Sequence, residues 1–226
     1  MPKRFLTILL LLLMHSSSLA DHVIVSGGPS LNRWEHFRTA QDQHDKWWAN
    51  FIRSGTMRMD EIRKVYGGSA KLVWIVYRPS YEMRGREDGK NYISMIQLQA
   101  SKRKVSLIWI NSGPDLIRAL NNLPRSSVQT FDYFGHSNKH CFCLDYGAEI
   151  IAVSTQWLHE SELERINPSI FADKAYCKSW GCHTGESMSA RWKAALGVRL
   201  EGARGKTNYR ALSHGKFPAV SGGWTR

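Results

Sequence analysis

Apolar runs of strand length, rather than helical stripes, organise most of this chain. Near-continuous runs occupy residues 71–77 and 105–110, and a third run, rich in aromatic residues, occupies 128–134. Uninterrupted runs of this length are typical of strands that are buried on both faces of a parallel sheet. The residues that we expect to be largely buried in the first two runs are Leu72, Val73, Ile75, Val76, Leu107, Ile108 and Ile110.

Helical and loop signals separate these predicted strands. Ser112 is a candidate helix cap, Pro114 suits the first turn of the helix that follows, and Pro124 ends it. The other elements that the pattern predicts are a loop at 80–91, a strand or short helix at 92–99, a small hairpin or flap at 140–147, helices at 157–166 and 187–196, and strands at 174–180 and 198–203. Strands that alternate with helices predict a doubly wound α/β fold, a three-layer sandwich with a mostly parallel sheet.

The segment before this domain has a different pattern. Val23, Ile24 and Val25 indicate a short strand or a lead-in arm that ends in a Gly-Pro turn. From Asn32 onwards an aromatic stripe at three- and four-residue steps predicts a helix, and a second helix ends at Gly67. The stripe consists of Trp34, Phe37, Gln41, His44, Trp48 and Phe51. We therefore expect residues 21–70 to form an N-terminal helical extension of an α/β domain at 71–226.

Residues 1–20 have the layout of a secretory signal peptide. Lys3 and Arg4 precede an apolar run at 5–14, and Ser18 and Ala20 are the small residues before a cleavage site. The run is short for a transmembrane helix. The layout predicts a secreted or periplasmic protein that is cleaved near Ala20 and has no transmembrane span in its mature form.

Composition and charge exclude few functions or partners. The chain has 226 residues, 42% of them hydrophobic, and a formal net charge of +12, which removal of Lys3 and Arg4 lowers to +10. Such a charge permits contact with anionic surfaces. Because only 102–104 form a tight basic cluster, we expect a dispersed basic surface and no specific nucleic-acid partner.

Two strand ends carry the candidate chemistry. The run at 128–134 ends at Gly135 and is followed by His136, and the run at 174–180 ends at Gly181 and is followed by Cys182. Residues just past the carboxyl ends of neighbouring parallel strands meet at one crevice. A thiol beside an imidazole is an arrangement that generates a thiolate nucleophile.

This arrangement resembles the caspase-like (clan CD type) superfamily of cysteine peptidases, in particular its secreted bacterial members. The order of the dyad, His136 before Cys182, and the Gly185 that follows carry the resemblance, which covers about residues 71–207. The family usually has a Gly after the His and a small residue such as Ala before the Cys, whereas Ser137 and Gly181 stand here. The resemblance implies a caspase-like sheet and a cysteine endopeptidase that acts on peptide or protein substrates without a cofactor.

Roles follow for the residues around the dyad. Cys182 is the expected nucleophile, with a thiol pKa lowered by His136 and by a helix N-terminus that we expect directly after it. Backbone groups of Gly135, Ser137 and Gly181, together with the N–H groups of Cys182 and His183, are candidate oxyanion donors. His183 is a less favoured alternative base and a candidate substrate-binding residue.

The sequence does not choose among the candidate residues for substrate specificity. Asp132 and Asp145 are acidic candidates, since family members that cleave after Arg or Lys use acidic pockets. Arg78 and Arg84 would instead recognise an acidic residue. Ordinary loop or sheet-end roles compete with each of these assignments.

Two other functions stay open. Ser137 in place of Gly favours a catalytically inactive binding domain on the same fold. Cys141, Cys143 and Cys177, with Cys182 and the nearby histidines, offer ligands for zinc or partners for a disulfide. The short Cys-x-Cys spacing and the mid-strand position of Cys177 argue against zinc, so no metal is assigned.

Overall fold

The computed structural model describes residues 21–40, 42–147, 149–151 and 153–225. The predicted signal peptide, residues 1–20, lies outside the described residues. The described chain forms an α/β fold around a six-stranded sheet in which all strands are parallel. The strands of this sheet are β1 (Asp21–Ser26), β2 (Lys71–Tyr77), β3 (Ser106–Ile110), β4 (Val128–Phe134), β8 (Phe171–Ser179) and β9 (Leu200–Gly202).

The strand order is β3-β2-β1-β4-β8-β9. In order of their occurrence along the chain this is 3-2-1-4-5-6, the order of doubly wound nucleotide-binding domains. The direction of winding reverses between β1 and β4, so a crevice at the carboxyl ends of these strands is expected to hold the functional site.

The predicted boundary at residue 70 is wrong, because β1 lies at the centre of the sheet between β2 and β4. All six of its residues are buried, including Asp21, His22 and Ser26. Only three apolar residues mark it in the sequence, which made it indistinguishable from a lead-in arm. Its central position makes residues 21–70 an integral part of the α/β domain.

Two layers of helices cover the sheet. The α-helices in the described part of the chain are α1 (Asn32–Glu35), α2 (Asn50–Tyr66), α3 (Arg78–Asp88), α4 (Tyr92–Lys102), α5 (Gly113–Asn121) and α6 (Met188–Leu196). One core cluster contains side chains from α2, α3 and α4, and the other contains side chains from α5 and α6. Residues next to each other on a strand enter opposite clusters, as Ile24 and Val25 do. A three-layer arrangement therefore positions the edge at which all six strands end.

Strand predictions agree with the structure more closely than helix predictions do. The strand at 71–77 and the helix capped by Ser112 are confirmed, and Ser112 accepts a hydrogen bond from the Asp115 N–H. The predicted loop at 80–91 is instead helix α3, with Pro79 in its first turn. The aromatic stripe from Asn32 does not form one helix, since α1 ends at Glu35 and α2 begins at Asn50. Leu107 and Ile108 are only partly buried because β3 is an edge strand.

Smaller elements surround the carboxyl edge of the sheet. A three-stranded antiparallel sheet is formed by β5 (His136–Ser137), β6 (Cys141–Cys143) and β7 (Trp157–His159). Of these strands only β6 lies within the hairpin or flap predicted at 140–147, and its two partners lie outside that range. Residues 160–165 form a 3-10 helix where an α-helix was predicted at 157–166. A hairpin of β10 (Thr207–Asn208) and β11 (Ala219–Val220) follows β9. Within the described residues, none of the helices combines the length and the apolar character needed to cross a bilayer.

Candidate functional site

The two predicted strand ends lie side by side. β4 and β8 are parallel neighbours, as expected, and Tyr133 pairs with Ser179 in their register. Beyond them the Ser137 hydroxyl donates a 2.7 Å hydrogen bond to the carbonyl oxygen of Cys182. The structure therefore brings the backbones at His136 and Cys182 together at the carboxyl edge of the sheet.

The close approach of these strand ends accounts for both departures from the family pattern. A Cβ atom on Gly181 would lie 2.2 Å from the Ser137 Oγ and 3.3 Å from the Gly135 carbonyl oxygen. Gly181 leaves the space that the Ser137 hydroxyl occupies. Ser137 in turn ties the two strand ends together, a bond that a glycine at this position would not make.

Cys182 lies half-buried in a turn that precedes α6. Its sulfur is 3.2 Å from the backbone nitrogen of Thr207, which donates to it from the start of β10. Burial raises the pKa of the Cys182 thiol, while the hydrogen bonds from Thr207 and the charge of Lys206 act in the opposite direction. The expectation of a helix N-terminus at Cys182 is wrong, because α6 begins only at Met188. The thiol therefore lacks the helix-end field that was expected to lower its pKa.

His136 is buried and held on three sides. Its Nε2 lies 2.5 Å from the Oδ2 of Asp45, a carboxylate with no exposure to solvent. Tyr146 stacks on the imidazole with ring centroids 4.5 Å apart, and Phe51 meets it edge-on at 5.2 Å. These contacts fix both the plane of the ring and the nitrogen that faces Asp45.

A buried polar network holds Asp45 in place. Its Oδ2 also accepts a 3.1 Å hydrogen bond from the Ser30 N–H, and its own N–H donates to Glu35. The guanidinium of Arg84 donates to the carbonyl oxygens of Ser30 and Asp45 and pairs with Asp88. The network joins the loop after β1 to α3. Because it restricts the movement of Asp45, it also restricts the orientation of the imidazole that contacts Asp45.

Asp45 and Thr207 are the two site residues that sequence reasoning did not find. Asp45 lies in a one-turn 3-10 helix at 44–46 between α1 and α2, more than ninety positions before His136, and no motif connects the two. Thr207 contributes a backbone N–H, which carries no side-chain signal at all. The one available hint was the placement of Asp45 beside an aromatic stripe that proved to include Phe51, a contact of His136.

The predicted oxyanion donors are engaged elsewhere. The Gly181 N–H donates to the Ser179 hydroxyl, and the His183 N–H donates to the Gly205 carbonyl at 2.8 Å. Ser137 uses its hydroxyl on the Cys182 carbonyl. The oxyanion role of Gly135, Ser137 and Gly181 stays a prediction, and the N–H group that lies at the sulfur in this structure is that of Thr207.

The predicted substrate-binding residues have different surroundings. Asp132 is fully buried under α2, where its carboxylate accepts hydrogen bonds from Arg58 at 2.8 Å and Trp180 at 3.0 Å. Its position before the end of β4 points it into the core, so its assignment to a substrate pocket is wrong. Arg78 begins α3 at the end of β2 and pairs with Glu82, two strands away from β4.

His183 does lie at the site, directly after Cys182. Its Nδ1 is 2.7 Å from the Glu186 carboxylate, and this carboxylate also accepts the Gly205 N–H. These two bonds lower the pKa of Glu186. His183 adopts a left-handed backbone conformation with φ of 61°. A substrate-binding role for His183 stays a prediction.

Three alternatives from the sequence remain: a specificity role for Asp145, a disulfide and a metal site. Asp145 braces the loop after β6 by accepting N–H groups from Thr155 and Gln156. All four cysteines have free thiols in this structure. Among the residues that the structure describes, His, Cys, Asp and Glu side chains form no group of three that could hold a metal ion.

The loop after β1, residues 27–30, occupies the position that binds phosphate in doubly wound nucleotide-binding domains. Here its N–H groups already have partners. Gly27 donates to Phe134, Gly28 donates to Leu144, and Ser30 donates to Asp45. The first N–H groups of α1, at 32 and 33, donate to the Glu87 carboxylate. The chain's own carboxylates occupy this anion-binding position, which argues against a nucleotide site.

Comparisons with known proteins give no family for this chain. None of the known family models and none of the curated proteins matches it. Among solved structures, a conserved hypothetical protein from Sinorhizobium meliloti 1021 is similar over 83% of this chain, with a TM-score of 0.33 and 7% sequence identity. The match covers 42% of that protein, so this chain spans less than half of its length.

Proposed function

We propose that this protein is a cysteine-dependent acyl-transfer hydrolase, with Cys182 as nucleophile and His136 as base. The observation that carries the proposal is the junction of β4 and β8, where the two residues follow neighbouring strands and Ser137 binds the Cys182 carbonyl at 2.7 Å. A thiol and an imidazole at one crevice are the minimal set for acyl transfer through a thioester.

The raised pKa of Cys182 determines how such a site would work. Since the resting sulfur is a protonated thiol, His136 has to remove its proton as the sulfur attacks the substrate carbonyl. The tetrahedral oxyanion is stabilised by the Thr207 N–H, which already lies 3.2 Å from the sulfur. His136 then gives the proton to the leaving amine, and a thioester remains on Cys182. Water, activated by His136, releases the acid and restores the thiol.

A peptide or protein substrate is the finer part of the proposal, and it comes from the resemblance to caspase-like peptidases. That resemblance is supported by the order and placement of the dyad. The strand order 3-2-1-4-5-6 gives it no support, since this is the order of doubly wound nucleotide-binding domains. Action outside the cytoplasm, after removal of residues 1–20, belongs to the same proposal.

A library of fluorogenic peptides and amide or ester substrates tests the proposal. The wild type should cleave at least one class, and Cys182→Ala should lose that activity by a factor of at least about 10³. Cys141→Ala is the matched control, because Cys141 is also a half-buried free thiol and lies in the small sheet beside the site. It should keep wild-type rates. Cleavage by the Cys182→Ala variant at the wild-type rate would exclude Cys182 as the nucleophile.

A further inference from the structure

We propose that Asp45 positions the His136 imidazole for proton transfer with Cys182, so that the site functions as a Cys–His–Asp triad. The inference rests on the function proposed above and adds a residue that lies outside the segment that resembles a peptidase. The carboxylate and the imidazole are both buried, and the Asp45 Oδ2 and the His136 Nε2 lie 2.5 Å apart, within hydrogen-bonding distance.

The geometry specifies which nitrogen does the chemistry. Asp45 faces Nε2, so proton transfer with Cys182 has to use Nδ1. An ionised carboxylate accepts a hydrogen bond, and the neutral imidazole is therefore held with its proton on Nε2. When His136 takes the thiol proton, the negative charge of Asp45 stabilises the imidazolium that forms.

The groups around the pair are consistent with an ionised Asp45. The Ser30 N–H donates to its carboxylate from the β1 loop, Arg84 on α3 donates to its backbone carbonyl, and Glu35 on α1 accepts its N–H. His136 faces Tyr146, with Arg38 behind it, and Phe51 on α2, and it pairs with Cys143 on β6 in the small sheet. The Ser30 N–H therefore stabilises a negative charge on the Asp45 carboxylate, while the buried carboxylate of Glu35 nearby has a charge of the same sign.

The pH dependence of alkylation at Cys182 tests the triad without a known substrate. Because burial raises the thiol pKa, the thiolate that reacts with iodoacetamide at neutral pH forms mainly by proton transfer to His136. In Asp45→Asn the imidazolium loses its charged partner, so the alkylation rate at pH 7 should fall roughly 10- to 100-fold. The two rates should converge at high pH, where every thiol ionises. Tryptic digestion isolates Cys182 in the peptide 179–191 and Cys177 in the peptide 175–178.

Asp88→Asn is the matched control. Asp88 accepts hydrogen bonds from Arg84 and Tyr92, so its connection to Asp45 runs through Arg84. Its alkylation profile should follow the wild type. The buried Cys177 reports unfolding, because it reacts only when the sheet opens.

The outcomes separate the two proposals. If Asp45→Asn follows the wild-type profile while His136→Ala does not, Asp45 has no positioning role. If His136→Ala also follows the wild type, the dyad itself is wrong. If Asp45→Asn unfolds, as alkylation of Cys177 would show, the ¹⁵N shifts of His136 in the wild type decide the question. A neutral ring protonated at Nε2 supports the triad, and one protonated at Nδ1 overturns it.

Discussion

Two glycine-containing strand ends lie at the same edge of the sheet and differ in what they offer a ligand. The loop after β1 has committed its N–H groups at residues 27, 28 and 30 to neighbouring carbonyls and to Asp45. The junction of β4 and β8 instead has a half-buried thiol, Cys182, and a buried imidazole, His136, each just past the end of one of two neighbouring strands. In doubly wound domains the first of these positions usually binds the ligand. In this chain the loop after β1 instead holds Asp45 in place, and the candidate catalytic residues follow the ends of β4 and β8.

The junction can be broken at Gly181. In Gly181→Ala the new methyl group would lie 2.2 Å from the Ser137 hydroxyl, so the strand ends have to separate and displace Cys182. A displacement near 1 Å costs about 10²-fold in rate. We expect that loss in the hydrolase assay, and partial recovery in the double variant Gly181→Ala/Ser137→Gly, which removes the obstructing side chain. Full activity of the single variant would show that the close approach has no functional importance.

The β1 loop can be broken at Gly28, with an effect on stability. A Cβ atom there would lie 2.1 Å from the Cβ of Ser80 on α3. Overpacking of this kind costs about 1–3 kcal/mol in the free energy of unfolding. Gly68→Ala is the control, since nothing lies within 4 Å of its added Cβ, and we expect it to stay within about 0.5 kcal/mol of the wild type. Urea unfolding of the three proteins measures the difference, and equal stability of the two variants would contradict the scaffold role of the loop.

The candidate site also shows how much of the structure the sequence can predict. The strand ends at Gly135 and Gly181 follow apolar runs that local pattern identifies, so the positions of His136 and Cys182 at one edge were predictable. The partners of both residues were not. Asp45, in a 3-10 helix of three residues, and Thr207, in the two-residue strand β10, reach the site through tertiary folding, and elements this short show no periodicity in the sequence. The helix at 78–88 was missed because Arg-Pro, which normally ends a strand run, here supplies the first turn of the helix.

Cys177 lies on β8, five residues before Cys182, and its burial should make the stability of the protein depend on pH. It is fully buried, and burial raises its pKa far above the value of an unfolded thiol. A raised native pKa stabilises the fold below the unfolded pKa, near 8.5, and this contribution is lost as the pH rises further. We expect the free energy of unfolding to fall above about pH 9 by up to about 1.4 kcal/mol per pH unit for this thiol alone. Cys177→Ala should be less stable at pH 7 and show a shallower alkaline decline. If the free energy of unfolding fell equally with pH in the wild type and in Cys177→Ala, the alkaline loss of stability could not be assigned to Cys177.

The smallest effect is expected for phosphate ligands at the β1 loop. Since its N–H groups are occupied and Asp45 and Glu87 place negative charge there, inorganic phosphate and NAD⁺ should not shift the melting temperature by more than about 1 °C at millimolar concentration. Differential scanning fluorimetry measures this. A shift of several degrees that disappears in Gly28→Ala would show that the loop binds anions after all.

The central claim is that Cys182 is a nucleophile activated by His136, and covalent capture tests it most directly. A mixture of peptidyl acyloxymethyl ketones with varied side chains is incubated with the protein at pH 7, and the modified tryptic peptides are quantified. The account predicts modification confined to Cys182 in the peptide 179–191, and its loss in His136→Ala, while Cys141 and Cys143 in the peptide 140–165 stay unmodified. Equal modification of the two peptides, or an unchanged rate at Cys182 in His136→Ala, would contradict it.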